Sequence, residues 1–140
     1  MRIKLELPEV FSFRTELTVR ITDLNYGGHL GNADTLVLLH EARVRFLQSY
    51  GYSEIDVEGF GTIMLDAVIQ FKNQAFAGDV LVAEVAAGDF SRMGCDILYR
   101  LTHKETGAIV AVAKTGVSIF DYEKQKRVSP PATFVEKLGG

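Results

Sequence analysis

Between residues 12 and 21 the apolar side chains Phe13, Leu17, Val19 and Ile21 fall on odd positions with polar residues mostly between them, the two-residue period of a strand with one wet face. Residues 22–32 break that pattern. Asn25, Gly27, Gly28, Gly31 and Asn32 crowd into this stretch, a composition for tight, ordered backbone. From Ala33 to Tyr50 the chain runs without Gly or Pro, with Gly31 or Asn32 placed to cap the start and Gly51 to end it; this predicts one long helix. On a helical wheel Leu36, Leu39, Arg43, Phe46 and Leu47 share a face, flanked by Val37, His40 and Val44, while Asp34, Glu41, Arg45 and Gln48 form a narrow polar arc. So narrow an arc predicts a largely enclosed helix.

Four β-rich segments follow at about 62–72, 79–88, 93–103 and 108–120, separated by turn-forming stretches at 73–78, 88–92 and 104–107. Loops this short predict antiparallel hairpins, because a parallel crossover needs about a dozen residues or more. After Asp121 the chain turns polar, and Pro130 and Pro131 are expected to close off regular structure. That leaves residues 123–140 as a tail beyond a core of about 12–122, within a single domain spanning 1–140. One strand, one long helix and a four-strand meander imply an α+β fold, a curved antiparallel sheet wrapped around one central helix. Val- and Ile-rich strand edges with few prolines predict pairing with at least a second copy.

Composition narrows the functional classes. Fifteen Lys and Arg against eighteen Asp and Glu give a net charge of -3, with no block of like charge, which argues against a nucleic-acid or anionic-membrane surface. The apolar run Leu36–Leu39 falls far short of the roughly 20 residues of a membrane span or the about 7–15 of a secretory segment. Cys95 is the lone cysteine; it can form no intrachain disulfide, no Cys/His cluster suggests zinc, and a reducing cytoplasm is expected. No metal or cofactor is implied.

The densest polar cluster is Thr22–Asn32, immediately before the helix. Backbone N–H groups of Gly31, Asn32 and Ala33 at a helix start could stabilise an oxyanion, and the same composition equally suits an ordinary capped turn. Asp23, Asn25 and His29 bring an acid, an amide and an imidazole within seven residues, a spacing that matches neither a serine-hydrolase triad nor a zincin. Asp23 reads as a turn-capping residue or an acid, and His29 as a turn histidine or a substrate contact. Glu41 precedes Arg45 by four residues, which suits a solvated ion pair or a base facing a cleft. His40 and Arg43 read as partnered core or interface polar groups.

The run Thr22-Asp-Leu-Asn-Tyr-Gly-Gly-His-Leu-Gly-Asn, followed by Leu38-Leu-His-Glu-Ala-Arg-Val-Arg-Phe-Leu-Gln-Ser-Tyr-Gly, resembles the hotdog-fold acyl-CoA thioesterases of the 4-hydroxybenzoyl-CoA thioesterase-like family. The resemblance covers about residues 12–122, with weaker support from the segments 71–79 and 91–97. It implies a helix enclosed in a curved sheet, assembly as homodimers or homotetramers with active sites between subunits, and an acyl-CoA substrate.

The family pattern is Asp-x-Asp-x-x-Gly-His/Val, whose second Asp in much of the family attacks the thioester or activates water. Asp23 matches the first position, but Asn25 stands at the second. An amide donates to a thioester oxygen or orients a water; it does not take a proton. Other hotdog thioesterases pair a loop amide with a carboxylate on the helix about two turns past the oxyanion N–H, an arrangement that Glu41, eight residues after Ala33, would satisfy. His29 is an alternative proton carrier. The implied catalytic residues are thus Asn25, Glu41, His29 and Asp23; Tyr26, Gly31, Asn32, Ala33, Phe71 and Arg92 are the expected substrate contacts. Lys72, Arg92 and Lys114 are candidates for the CoA phosphates. Phe13, Tyr26, Phe46, Phe60 and Phe71 suit an acyl tunnel or the core. Two other readings share the fold: acyl-CoA binding without turnover, and an enoyl-thioester hydratase or dehydratase using His29 and Glu41.

Overall fold

A computed structural model describes residues 2–139; Met1 and Gly140, the ends of the expected domain, lie outside the described residues. The strands are β1 (Phe13–Thr18), β2 (Gly61–Phe71), β3 (Val80–Ser91), β4 (Gly94–His103), β5 (Ile109–Asp121) and β6 (Lys126–Val128), with helices α1 (Asn32–Gln48) and α2 (Ala132–Gly139). All pairings are antiparallel and the sheet runs β1-β3-β4-β5-β2, with β6 on the end of β5. This is the α+β helix-in-sheet architecture expected of a hotdog fold.

Alternation along the strands places the core on one face. Leu81, Ala83 and Val85 of β3, Ile97, Tyr99 and Leu101 of β4, and Ala111, Ala113 and Ile119 of β5 point inward. They meet Leu38, Leu39, Ala42, Phe46 and Leu47 of α1. The helix stops as its sequence demands. Gly51 takes φ 83°, the Tyr52 N–H donates to Leu47 O (3.0 Å) and the Gly51 N–H to Gln48 O (2.9 Å), the paired bonds of a Schellman ending.

Four expectations need correction. The segments 62–72 and 79–88 do not form a hairpin: β2 pairs with β5, and residues 72–79 carry the chain across the sheet end to β3. That crossover is held by Lys72 and Asn73 N–H groups on Val110 O (2.8 and 3.2 Å), by Gly78 N–H on Val19 O (2.8 Å), and by the full burial of Ala75. Ile21 leaves the strand for a short 3-10 turn and is exposed. The helix is not enclosed all round. α1 packs over β1 and β3, so Leu36 (39% exposed) and Val37 (51% exposed) face open space above β5 and β2. Last, residues 123–140 are no plain tail: β6 extends the sheet, and α2 docks with Phe134 and Leu138 buried.

Candidate active site

The Gly-rich segment folds into a miniature hairpin. Leu24 and Leu30 form a bridge, the Asn25 N–H donates to His29 O (2.9 Å) and the Gly28 N–H to Asn25 O (3.0 Å). Gly28 has φ 79°, a left-handed conformation that favours glycine. The Asn25 Oδ1 accepts the Gly27 N–H (2.9 Å), and its Nδ2 lies 3.5 Å from His29 Nδ1. Asn25 is thereby pinned by its oxygen, and its amide nitrogen, with one hydrogen toward His29, has a second to offer. Tyr26 stands fully exposed at the apex.

Asp23 does different work. It is 2% exposed; its carboxylate accepts the Arg20 N–H (2.8 Å), Nε (3.2 Å) and Nη2 (2.9 Å). Those Arg20 hydrogen bonds hold the carboxyl below its ordinary value, and every contact fixes the turn. These contacts give Asp23 the capping role that its position in the turn suggested.

At the start of α1, Gly31 is the N-cap and its carbonyl accepts the Thr35 N–H and Oγ1 (both 2.9 Å). The Gly31 N–H is already taken by Asp23 O (3.0 Å), which removes it from the expected donors. Asn32 and Ala33 remain, in the helix's first turn, where no intrahelical acceptor exists. A Cβ at Gly31 would come within 2.4 Å of Asp34 Oδ2 and 3.6 Å of Asn25 Cβ. Glycine here lets the Asp34 carboxylate and the Asn25 side chain close on the same stretch of backbone.

The two flanks of α1 carry different polar groups. Toward β1, Glu41 Oε2 accepts Arg45 Nε (3.0 Å), and Arg45 Nη1 donates to Thr15 Oγ1 and Glu16 O (both 2.9 Å). Glu41 lines a groove of about 570 Å³ with Glu16, Arg20, Val37, His40 and Arg45, and no contact brings it to Asn25 or His29. Toward β2 lies a groove of about 600 Å³ walled by Leu36, Val37, Ile55, Met64 and Val117, with His40, Arg43, Glu54, Thr62 and Tyr122 as its polar residues. His40 Nε2 is 2.9 Å from Glu54 Oε1, which also accepts Arg43 Nη2 (3.1 Å) and Nε (3.3 Å). Arg43 Nη1 donates to Tyr99 Oη (3.3 Å), itself 2.7 Å from Thr115 Oγ1. Burial works against the Glu54 charge, yet the hydrogen bonds from His40 and Arg43 hold its carboxyl below the ordinary value.

The remaining expected residues separate. Phe71 ends β2 at the same end of the sheet as the Gly-rich turn, where the crossover residue Ala75 accepts the Leu30 N–H (2.7 Å). Arg92 lies in the β3–β4 turn beside Arg127, at the opposite end of the sheet. Lys114 is tied to Asp66 (2.9 Å). Phe46 is core and Phe13 packs edge-on against it at 5.8 Å, so no acyl tunnel runs there. Burial pushes the Cys95 thiol up to about 12, which keeps it protonated and unreactive. Sequence reasoning missed Glu54, which sits in the irregular segment after α1 where no periodicity marks it.

A helix start, an amide held beside it and an apolar groove along the helix mark the candidate site on this helix-in-sheet scaffold. Residues 19–138 match the model of the Thioesterase-like superfamily, and the chain belongs to that family. Solved structures share the fold. A 1,4-dihydroxy-2-naphthoyl-CoA thioesterase from Synechocystis aligns over 91% of this chain and 98% of its own, at 22% identity and a TM-score of 0.81. A probable thioesterase from Escherichia coli aligns over 89% and 95%, at 23% identity and a TM-score of 0.77. A hypothetical protein from Staphylococcus aureus in complex with CoA aligns over 96% and 86%, at 15% identity and a TM-score of 0.81. No curated protein matches the chain by sequence.

Proposed function

We propose that the chain hydrolyses acyl-CoA thioesters to a free acid and CoA, in an active site completed by a second copy. The observation that carries this reading is the α1 start: Asn32 and Ala33 offer backbone N–H groups beside the Asn25 amide, the arrangement that stabilises the oxyanion of a tetrahedral intermediate. Family membership supports the reaction class, and the CoA complex of the Staphylococcus aureus relative supports the thiol. Among the basic candidates, Lys72 follows β2 at the same end of the sheet as the Gly-rich turn, which favours it for the CoA phosphates.

The dimer follows from surface that one copy leaves bare. Leu36 and Val37 of α1, Ile55 of the following segment and Met64 of β2 are exposed along one groove, and the outer edge of β2 has no strand partner among the described residues. Edge pairing across a two-fold covers both.

Thiol release from a panel of aliphatic and aromatic acyl-CoA esters tests the reaction. Turnover of at least one class is expected, with Asn25→Ala lowering kcat by about 100-fold, the typical cost of an oxyanion contact. A second reading has its own observation: with Asn25 where much of the family carries Asp, and Asp23 locked by Arg20, the turn holds no free carboxylate. Tight acyl-CoA binding without thiol release would favour that non-catalytic reading.

A further inference from the structure

The geometry points to His40, oriented by Glu54, as the general base that activates the hydrolytic water, in place of Glu41. This assignment rests on the hydrolase reading above and supplies the proton acceptor that Asn25 cannot be.

Three observations carry it. First, His40 and Glu54 are in direct contact at 2.9 Å, and the dyad lines an apolar groove beside Leu36, Val37 and Met64. Second, the carboxylate is immobilised from two sides. The Glu54 carbonyl accepts both the N–H and the Oγ1 of Thr62 (each 2.8 Å), while its side chain takes two bonds from Arg43. Arg43 in turn is anchored on Tyr99 and Thr115, both fully buried. A base held by a third, rigidly placed group is the arrangement that nucleophile activation requires. Third, the His40 side chain is 53% exposed, so the ring is open to a ligand, whereas Glu41 is drawn toward β1 by Arg45.

With Nε2–H donating to Glu54, Nδ1 holds the free lone pair. As the water oxygen bonds to the thioester carbonyl carbon, its proton passes to His40 Nδ1 and Glu54 stabilises the imidazolium. Collapse of the tetrahedral intermediate breaks the C–S bond, and the proton returns to the departing thiolate. Atoms balance with water and acyl-CoA alone. Along one α1, His40 lies eight residues past Asn32, about 12 Å of helix axis, so the two reach one carbonyl only when they come from different copies. A two-fold perpendicular to α1 at the exposed Leu36–Val37 ridge would set the two helices antiparallel, the start of one beside the middle of the other.

The test is steady-state hydrolysis of the best acyl-CoA substrate by wild type, His40→Gln, His40→Ala, Glu54→Gln and Glu41→Gln, each checked for dimer mass by light scattering. His40→Gln should lower kcat by about 100-fold or more with KM within about threefold, and added imidazole should restore part of the His40→Ala rate. Glu54→Gln should lower kcat less. An active wild type whose His40→Gln variant keeps its kcat as a dimer overturns the assignment alone, as does loss confined to Glu41→Gln. A wild type that releases no thiol from any ester overturns the hydrolase reading and this assignment together.

Discussion

The two flanks of α1 hold similar charges in different settings. On the β1 flank, the Glu41 and Arg45 side chains are 49% and 41% exposed and meet in a single i,i+4 contact. On the β2 flank the Arg43 side chain is 10% exposed, shares Glu54 with His40, and is rooted through Tyr99 and Thr115 in the floor of the sheet. Water competes for the first pair at every moment, and its net contribution is small. The second set is rooted in the buried Arg43, Tyr99 and Thr115 and chained bond to bond, which holds Glu54 in place beside the half-exposed His40 ring. A helical wheel already sets Arg43 and His40 on or beside the apolar face and Glu41 and Arg45 on the polar arc; the asymmetric seat of α1 over β1 and β3 turns that split into a solvated pair on one flank and a connected network on the other.

Breaking the β2 flank should cost most. Arg43→Ala leaves Glu54 partly buried without its guanidinium partner and Tyr99 Oη with Thr115 alone, and urea unfolding should show a loss of about 3 kcal/mol; a loss below about 1 kcal/mol would sink the contrast between the flanks. Tyr99→Phe removes the hydroxyl that joins Arg43 to Thr115 and should cost about 1–2 kcal/mol in the same measurement. On the β1 flank, Arg45→Ala should cost less than about 1 kcal/mol despite its contacts with Thr15 and Glu16.

Acid titration sharpens the comparison further. Asp23 and Glu54 are both held below the ordinary carboxylate value, so at these two groups the folded state binds fewer protons than the unfolded one through the acid range. Their stabilisation is therefore present above the unfolded value near about pH 4 and lost as pH falls through the folded values. Unfolding curves of Asp23→Asn should decline less steeply below pH 4 than those of wild type; an identical slope would mean that the Arg20 contact contributes nothing.

Much of the fold was legible because period and punctuation agreed. The predicted strands at 62–72, 79–88, 93–103 and 108–120 fall on β2 to β5, and Gly51 ends α1 through the left-handed conformation its position suggested. Strand order was not legible. Loop length permits a β2–β3 hairpin, and only the packing of Ala75 and the pairing of β2 with β5 exclude it. The Pro130–Pro131 pair misled because proline ends one element and begins the next: Pro131 O accepts the Val135 N–H (3.1 Å), the first turn of α2, a position proline suits. In the site, the Gly-rich turn showed itself by composition. His40 was visible as a partnered core or interface polar group but without its partner, because Glu54 lies fourteen residues on in a segment without a period, and proximity of that kind exists only after folding.

Helix α2 sets the order in which the molecule can be finished. Phe134 wedges against Tyr52 (5.9 Å) and Phe90 (6.3 Å), and Lys137 lies 4.9 Å over the Tyr52 ring. Tyr52 follows the first helix and Phe90 belongs to the third strand, so both emerge during synthesis long before the segment that shields them. Until Phe134 and Leu138 have docked, the apolar surface around Tyr52 and Phe90 stays uncovered, the kind of transiently exposed surface on which partly folded chains associate.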